Sequence, residues 1–121
     1  MPAIPRKPRR ETEAALLRAI MLALGGEPDV LVLRNSVGRA VHVGANGREW
    51  TVPYGLGVGS PDLLLFTSGR AWALEVKRPG EHPTPEQSAC HARWARHGVV
   101  VTVVRSVADA REALTRAREG R

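Results

Sequence analysis

The chain has 121 residues, a single cysteine and a formal net charge of +6 at pH 7. That length suits one compact domain with its own apolar core, without a structural zinc, and the lone Cys90 excludes a disulfide framework within the chain. A basic excess of this size points to a polyanionic partner, nucleic acid before membrane, and no apolar run is long enough to cross a bilayer.

The first ten residues, MPAIPRKPRR, carry three prolines and four basic side chains. Proline spacing prevents a helix there and nothing can build a core, so the segment reads as a mobile basic arm. Lys7, Arg9 and Arg10 are its candidate phosphate contacts, and residues 11–121 form the single folded domain. Glu11, Glu13 and Arg18 interrupt the stretch after the basic start, which argues against a secretory signal; with one cysteine this fits a cytoplasmic protein.

Leu16, Leu17, Ile20 and Leu24 recur at helical spacing over 11–24, with Thr12 as N-cap and Gly25-Gly26 as the stop. VLVLRN (30–35) reads as a strand. A glycine-spaced stretch follows, in which Asn46-Gly47 sits between VHV and EWTV and predicts a projecting hairpin over 39–52. DLLLF (62–66) and AWALEVK (71–77) read as two strands around TSGR. Thr84 caps a helix over 85–97, Pro85 takes its first position and Gly98 ends it. Residues 99–104 are apolar almost throughout, as in a strand covered on both faces. Ser106 and Asp109 form a capping box that opens a last helix over 107–118. The order α-β-(hairpin)-β-β-α-β-α predicts an α/β fold, a mixed β-sheet flanked by helices.

The hairpin at 62–77 carries the chemistry. With Ser68-Gly69 as a two-residue loop, paired residue numbers sum to 137, so Asp62 falls opposite Glu75; a four-residue loop gives the same register and a three-residue loop does not. Directly opposed side chains share a face with Cβ atoms about 4.5–5.5 Å apart, and two carboxylates so placed repel each other unless something offsets the charge. A divalent cation is the simplest candidate, and Mg²⁺ suits a site with one or two carboxylates and several waters. Lys77 lies two residues after Glu75 and shares its face, where it can hold an attacking water or stabilise developing phosphate charge. Trp72, Leu74 and Val76 take the opposite face. A surface hairpin with Glu and Lys toward solvent is the plainer alternative. Arg34 and Asn35 end a strand near the glycine-rich stretch, with Arg39 beyond, and Arg78 borders Lys77; all four are candidate DNA contacts. The four histidines show no zinc-ligand spacing, and His91 is expected to pack on the inner face of the second helix.

Pro61-Asp62 followed by Glu75-Val76-Lys77 resembles the PD-(D/E)xK nuclease signature. The wider pattern is G-x-G-S-P-D at 57–62, E-V-K-R-P-G at 75–80, T-P-E-Q at 84–87 and H-G-V-V-V-T-V-V-R-S at 97–106. Together these resemble the VRR-NUC (virus-type replication-repair nuclease) family in its short stand-alone phage form, over nearly the whole chain from residue 11. The resemblance implies a restriction-endonuclease-like core and Mg²⁺- or Mn²⁺-dependent cleavage of DNA. Its stand-alone members resemble Holliday-junction resolvases and act as homodimers, so branched DNA and a second copy are the implied partners. It makes Asp62 and Glu75 the metal-binding acids, with the Val76 backbone carbonyl completing the inner shell, and Lys77 the catalytic lysine. Gln87 matches a glutamine on the following helix, although its spacing from Thr84 also fits a capping box. A first-helix glutamate matches Glu13 or Glu11; Glu13 lies on the face of Leu16, Ile20 and Leu24. Flap, nick or single-strand cleavage and plain DNA binding are the alternative functions.

Overall fold

The structure, a computed structural model, describes residues 11–121; the basic arm, and with it Lys7, Arg9 and Arg10, lies outside the described residues. Helix α1 (Glu13–Gly25) starts where the Thr12 hydroxyl accepts the Ala15 amide at 3.0 Å and stops at the glycine pair. Its Leu16, Leu17, Ile20 and Leu24 are all buried, as the 3.6-residue spacing requires. They meet Ala110, Ala113, Leu114 and Ala117 of α3 (Val107–Arg118) and one face of the main sheet. The Ser106 hydroxyl caps α3 through the Asp109 amide, but Asp109 returns its carboxylate to the amide of Arg105 rather than Ser106, so the expected reciprocal box closes one residue early. Among the described residues no helix is long and apolar enough to cross a membrane.

The main sheet has four strands in the order β1 (Val30–Arg34), β4 (Leu63–Thr67), β5 (Arg70–Val76) and β6 (Val100–Val104). The β1–β4 and β4–β5 pairs are antiparallel and β5–β6 is parallel, so the sheet is mixed. Helix α2 (Pro85–Arg96) makes the crossover that a parallel pair demands. Strand β6 departs from expectation: it is an edge strand, exposed at Val100 and fully buried only at Val104. Its apolar run reflects a strand flanked by helices at one end, not one covered along its length.

Strands β2 (Gly38–Val43) and β3 (Glu49–Tyr54) form a separate two-stranded sheet that stands away from the core. Its turn is a three-residue loop, because Gly44 and Arg48 are joined by a backbone bond and only Gly47 takes a positive φ. The cross-strand register puts Ala40, His42, Trp50, Val52 and Tyr54 on one face, with the His42 and Trp50 rings stacked at 5.7 Å.

Candidate active site

The β4–β5 register decides the site. Thr67 pairs with Arg70 and Leu63 with Leu74, each sum being 137, around a Ser68-Gly69 turn in which both residues have positive φ. One step further, Asp62 stands opposite Glu75, and the Val76 amide donates to Asp62 Oδ2 at 2.7 Å. Alternation sends Leu63, Leu65, Trp72, Leu74 and Val76 into the core with α1 and α3. Asp62, Glu75 and Lys77 therefore share the second face, the one α2 covers. Glu75 is 1% exposed and Lys77 9%, which excludes the surface-hairpin alternative.

A glycine-rich loop (residues 55–60) aims Asp62. Asn35, just past β1, donates from its side-chain amide to Ser60 Oγ at 2.7 Å and to the Pro61 carbonyl at 2.8 Å, and accepts from the Leu56 amide. Its backbone amide donates to the Asp62 carbonyl. Those bonds occupy the Asn35 side chain, which positions the Pro61-Asp62 turn. Gly59 (φ +82°) lies against the first turn of α2, where a Cβ would come within 2.7 Å of the Glu86 carbonyl oxygen. Asp62 thus lines a cleft of about 310 Å³ with Asn35 and Ser60 on one side and Thr84, Glu86 and Gln87 on the other. Gln87 reaches that cleft while its side-chain oxygen accepts from the Thr84 amide, so the capping box and the inward face are both present.

The surroundings of Glu75 favour its protonated form. Burial is the largest cause, followed by hydrogen bonding and charge from Asp62, and together they push its carboxyl up to about 9 against the opposing pull of Lys77. Its Oε1 is enclosed with no hydrogen-bond partner among the described residues. The nearest counter-group is His91 Nε2 from α2, 3.7 Å away, equally enclosed and equally without a partner. Burial also lowers the pKa of His91. A buried, unpartnered carboxyl oxygen facing a second acid is what a hard cation would satisfy on displacing the proton, so the residues fit a divalent metal.

The remaining expected residues scatter around this centre. Glu13 is half-buried in the first turn of α1, and no polar contact joins it to Asp62 or Glu75. Glu11 lines a different cleft with Arg78, Glu81 and Arg105. Among the described residues no three His, Cys, Asp or Glu side chains stand drawn up as a ready ligand cluster. Arg34 and Arg39 are exposed, Arg39 bonding Thr51 across its hairpin. Arg78 pairs with Glu81, whose carbonyl is in turn held by Arg105 at 2.8 Å. Sequence spacing missed His91 as a neighbour of Glu75, because the meeting of α2 with β5 is a tertiary contact; the one available signal was the shared helical face of Gln87, His91 and Trp94.

No family model matches the chain, and no curated protein does. A solved structure described as a VRR_NUC domain is similar, with 27% identity, a TM-score of 0.55, and coverage of 85% of this chain and 94% of that one. The likeness reaches from fold to sequence, and with the Pro61-Asp62 and Glu75-Val76-Lys77 arrangement on the buried sheet face it supports membership of the VRR-NUC family, nucleases of the PD-(D/E)xK type.

Proposed function

We propose that this chain is a Mg²⁺- or Mn²⁺-dependent endodeoxyribonuclease that cuts branched DNA, acting as a homodimer on four-way junctions. The observation that carries the metal reading is Glu75: a carboxyl with 1% exposure, one oxygen unpartnered, opposite Asp62 and beside Lys77. A protein that only bound DNA would gain nothing from burying two acids against each other.

Asp62 and Glu75 would hold the cation, with the Val76 carbonyl and, on the resemblance alone, Glu13 completing the set. When bound, the cation supplies a nucleophilic water at neutral pH and polarises the phosphoryl oxygen. The Val76 amide keeps Asp62 Oδ2 from rotating, so one ligand is preset. Lys77 orients the attacking water and offsets the charge that grows on the phosphate oxygens. Water attacks phosphorus in line, its proton passes to solvent or a neighbouring base, and the bond to the leaving oxygen breaks. Gln87, at the cleft edge, positions the backbone beside Asp62.

An uncovered apolar area supports the dimer. On the face that α2 covers over β5 and β6, the β1–β4 half stays bare, with Leu31, Leu33 and Phe66 exposed. Contiguous exposed apolar surface marks interaction sites. Paired cuts on two strands need two active sites, which a symmetric dimer supplies.

The test is cleavage of a labelled four-way junction with Mg²⁺ or Mn²⁺, beside duplex, flap and single-stranded controls, with wild type and Asp62→Ala. Paired symmetric incisions that vanish in the variant are the expected result. Cutting of flaps or single strands alone would move the substrate while keeping the site; no metal-dependent cutting of any DNA would overturn the enzyme reading.

A further inference from the structure

Two enclosed atoms, Glu75 Oε1 and His91 Nε2, face each other from β5 and α2 across 3.7 Å, and neither has another partner among the described residues. The gap exceeds any hydrogen bond, so no shared proton joins them. Once a cation displaces the Glu75 proton, that oxygen and an unprotonated imidazole nitrogen are both electron-pair donors, and a cation between them satisfies both. We propose that His91 is a nitrogen ligand to the cation held by Asp62 and Glu75, and that it tilts the site toward Mn²⁺ over Mg²⁺. The inference rests on the metal-dependent reading and adds a ligand and a selectivity to it.

The surroundings favour that role. The His91 side chain is only 12% exposed. Its helix is capped at its first turn by the Thr84–Gln87 box, and the Gly59 backbone packs against Glu86 there. The ring faces Glu75 from that helix. Charge balance also fits: two carboxylates match a divalent ion, and a neutral imidazole adds a donor without adding charge to a buried centre. Both ions favour oxygen ligands, but the softer Mn²⁺ tolerates an imidazole better than Mg²⁺ does, so a nitrogen donor favours Mn²⁺. A histidine that merely packed under α2 would be indifferent to which ion is bound.

The test is calorimetric titration of the full chain with MnCl₂ and with MgCl₂, without DNA, together with pulsed EPR of the Mn²⁺-loaded protein, for wild type, His91→Ala and His91→Leu. Leucine keeps the packing volume and removes the lone pair. The expected result is a ¹⁴N coupling to Mn²⁺ in wild type that both variants lose. With it, Mn²⁺ affinity should fall by about tenfold or more while Mg²⁺ affinity moves by less than about threefold. The EPR spectrum of wild type decides the matter even if both variants unfold. An oxygen-only environment around bound Mn²⁺, or equal losses for the two ions in a folded variant, overturns the His91 assignment and leaves the two-acid site standing. Failure of wild type to bind either ion overturns the assignment and the metal-dependent reading together.

Discussion

A carboxylic acid enclosed beside another acid keeps its proton until something positive takes the proton's place. Glu75, pushed up to about 9 from an ordinary value near 4.5, binds a proton in the metal-free folded chain that the unfolded chain has already released. Folding therefore takes up a proton between those two values, and linkage makes the metal-free protein lose stability as pH rises from about 4.5 toward 9. In thermal melts with EDTA, wild type should show this decline, and Glu75→Gln, neutral at every pH, should show a shallower one. Adding Mg²⁺ should raise the wild-type midpoint more at pH 8 than at pH 5.5, since the ion competes with the proton. Parallel pH profiles for the two proteins would mean that Glu75 titrates normally. Lys77 makes a different prediction, because its proposed role begins after DNA is bound. Lys77→Ala should lower single-turnover cleavage by about 10²–10³-fold while junction affinity in Ca²⁺ stays within a few-fold. Equal loss of affinity would make Lys77 a phosphate contact instead.

The β4–β5 hairpin shows which elements are legible in a sequence and which are not. Its register follows from one turn, and Ser68-Gly69 is enough to pair Asp62 with Glu75. The caps at Thr12, Thr84 and Ser106 were legible for the same reason: each is a short-range hydrogen bond between residues three apart. What could not be read was contact between elements distant in the chain. Asn35 lies 25 residues from its Ser60 partner, so it looked like a free polar side chain at a strand end. The exposure of β6 depends on its being outermost in the sheet, which apolar composition does not encode. Two substitutions test the local and the distant case. Ser68 is the one non-glycine residue with positive φ among the described residues, and asparagine tolerates that region better. Ser68→Asn should therefore stabilise the chain by about 0.5–1 kcal/mol in urea unfolding without changing cleavage. Gly59→Ala places a methyl against the Glu86 carbonyl at a backbone angle that L-residues avoid, and should destabilise by about 1–3 kcal/mol. Metal binding should weaken with it, because the same loop leads into Asp62; an undisturbed variant would mean the loop moves freely from α2.

At the scale of the whole molecule, the sheet is covered on one face by α1 and α3 and on the other only over β5 and β6. The row Leu31–Phe66 and its neighbour Leu33–Leu64 are left outside that cover. If this area is where two copies meet, Leu33→Glu with Phe66→Glu should convert a dimer into a monomer in sedimentation and abolish paired incision, while single nicks persist. A wild type that is monomeric at working concentration would count heavily against junction resolution. Charge acts at the same scale. The chain carries a net +6, and four of its basic residues precede Glu11. Each phosphate neutralised by a cation releases counterions, so the logarithm of affinity falls with the logarithm of salt by about 0.9 per contact on duplex DNA. Deletion of residues 1–10 should therefore flatten that slope by up to about 3–4 if all four residues of the arm touch phosphates. The deletion should leave the ratio of junction to duplex affinity nearly unchanged, since phosphate contacts carry little information about structure or sequence. Because Asp62, Glu75 and Lys77 all lie in the folded part, turnover of bound substrate should also survive. An unchanged salt slope would make the arm a bystander and shift the positive footprint to Arg34, Arg39 and their neighbours on the folded surface.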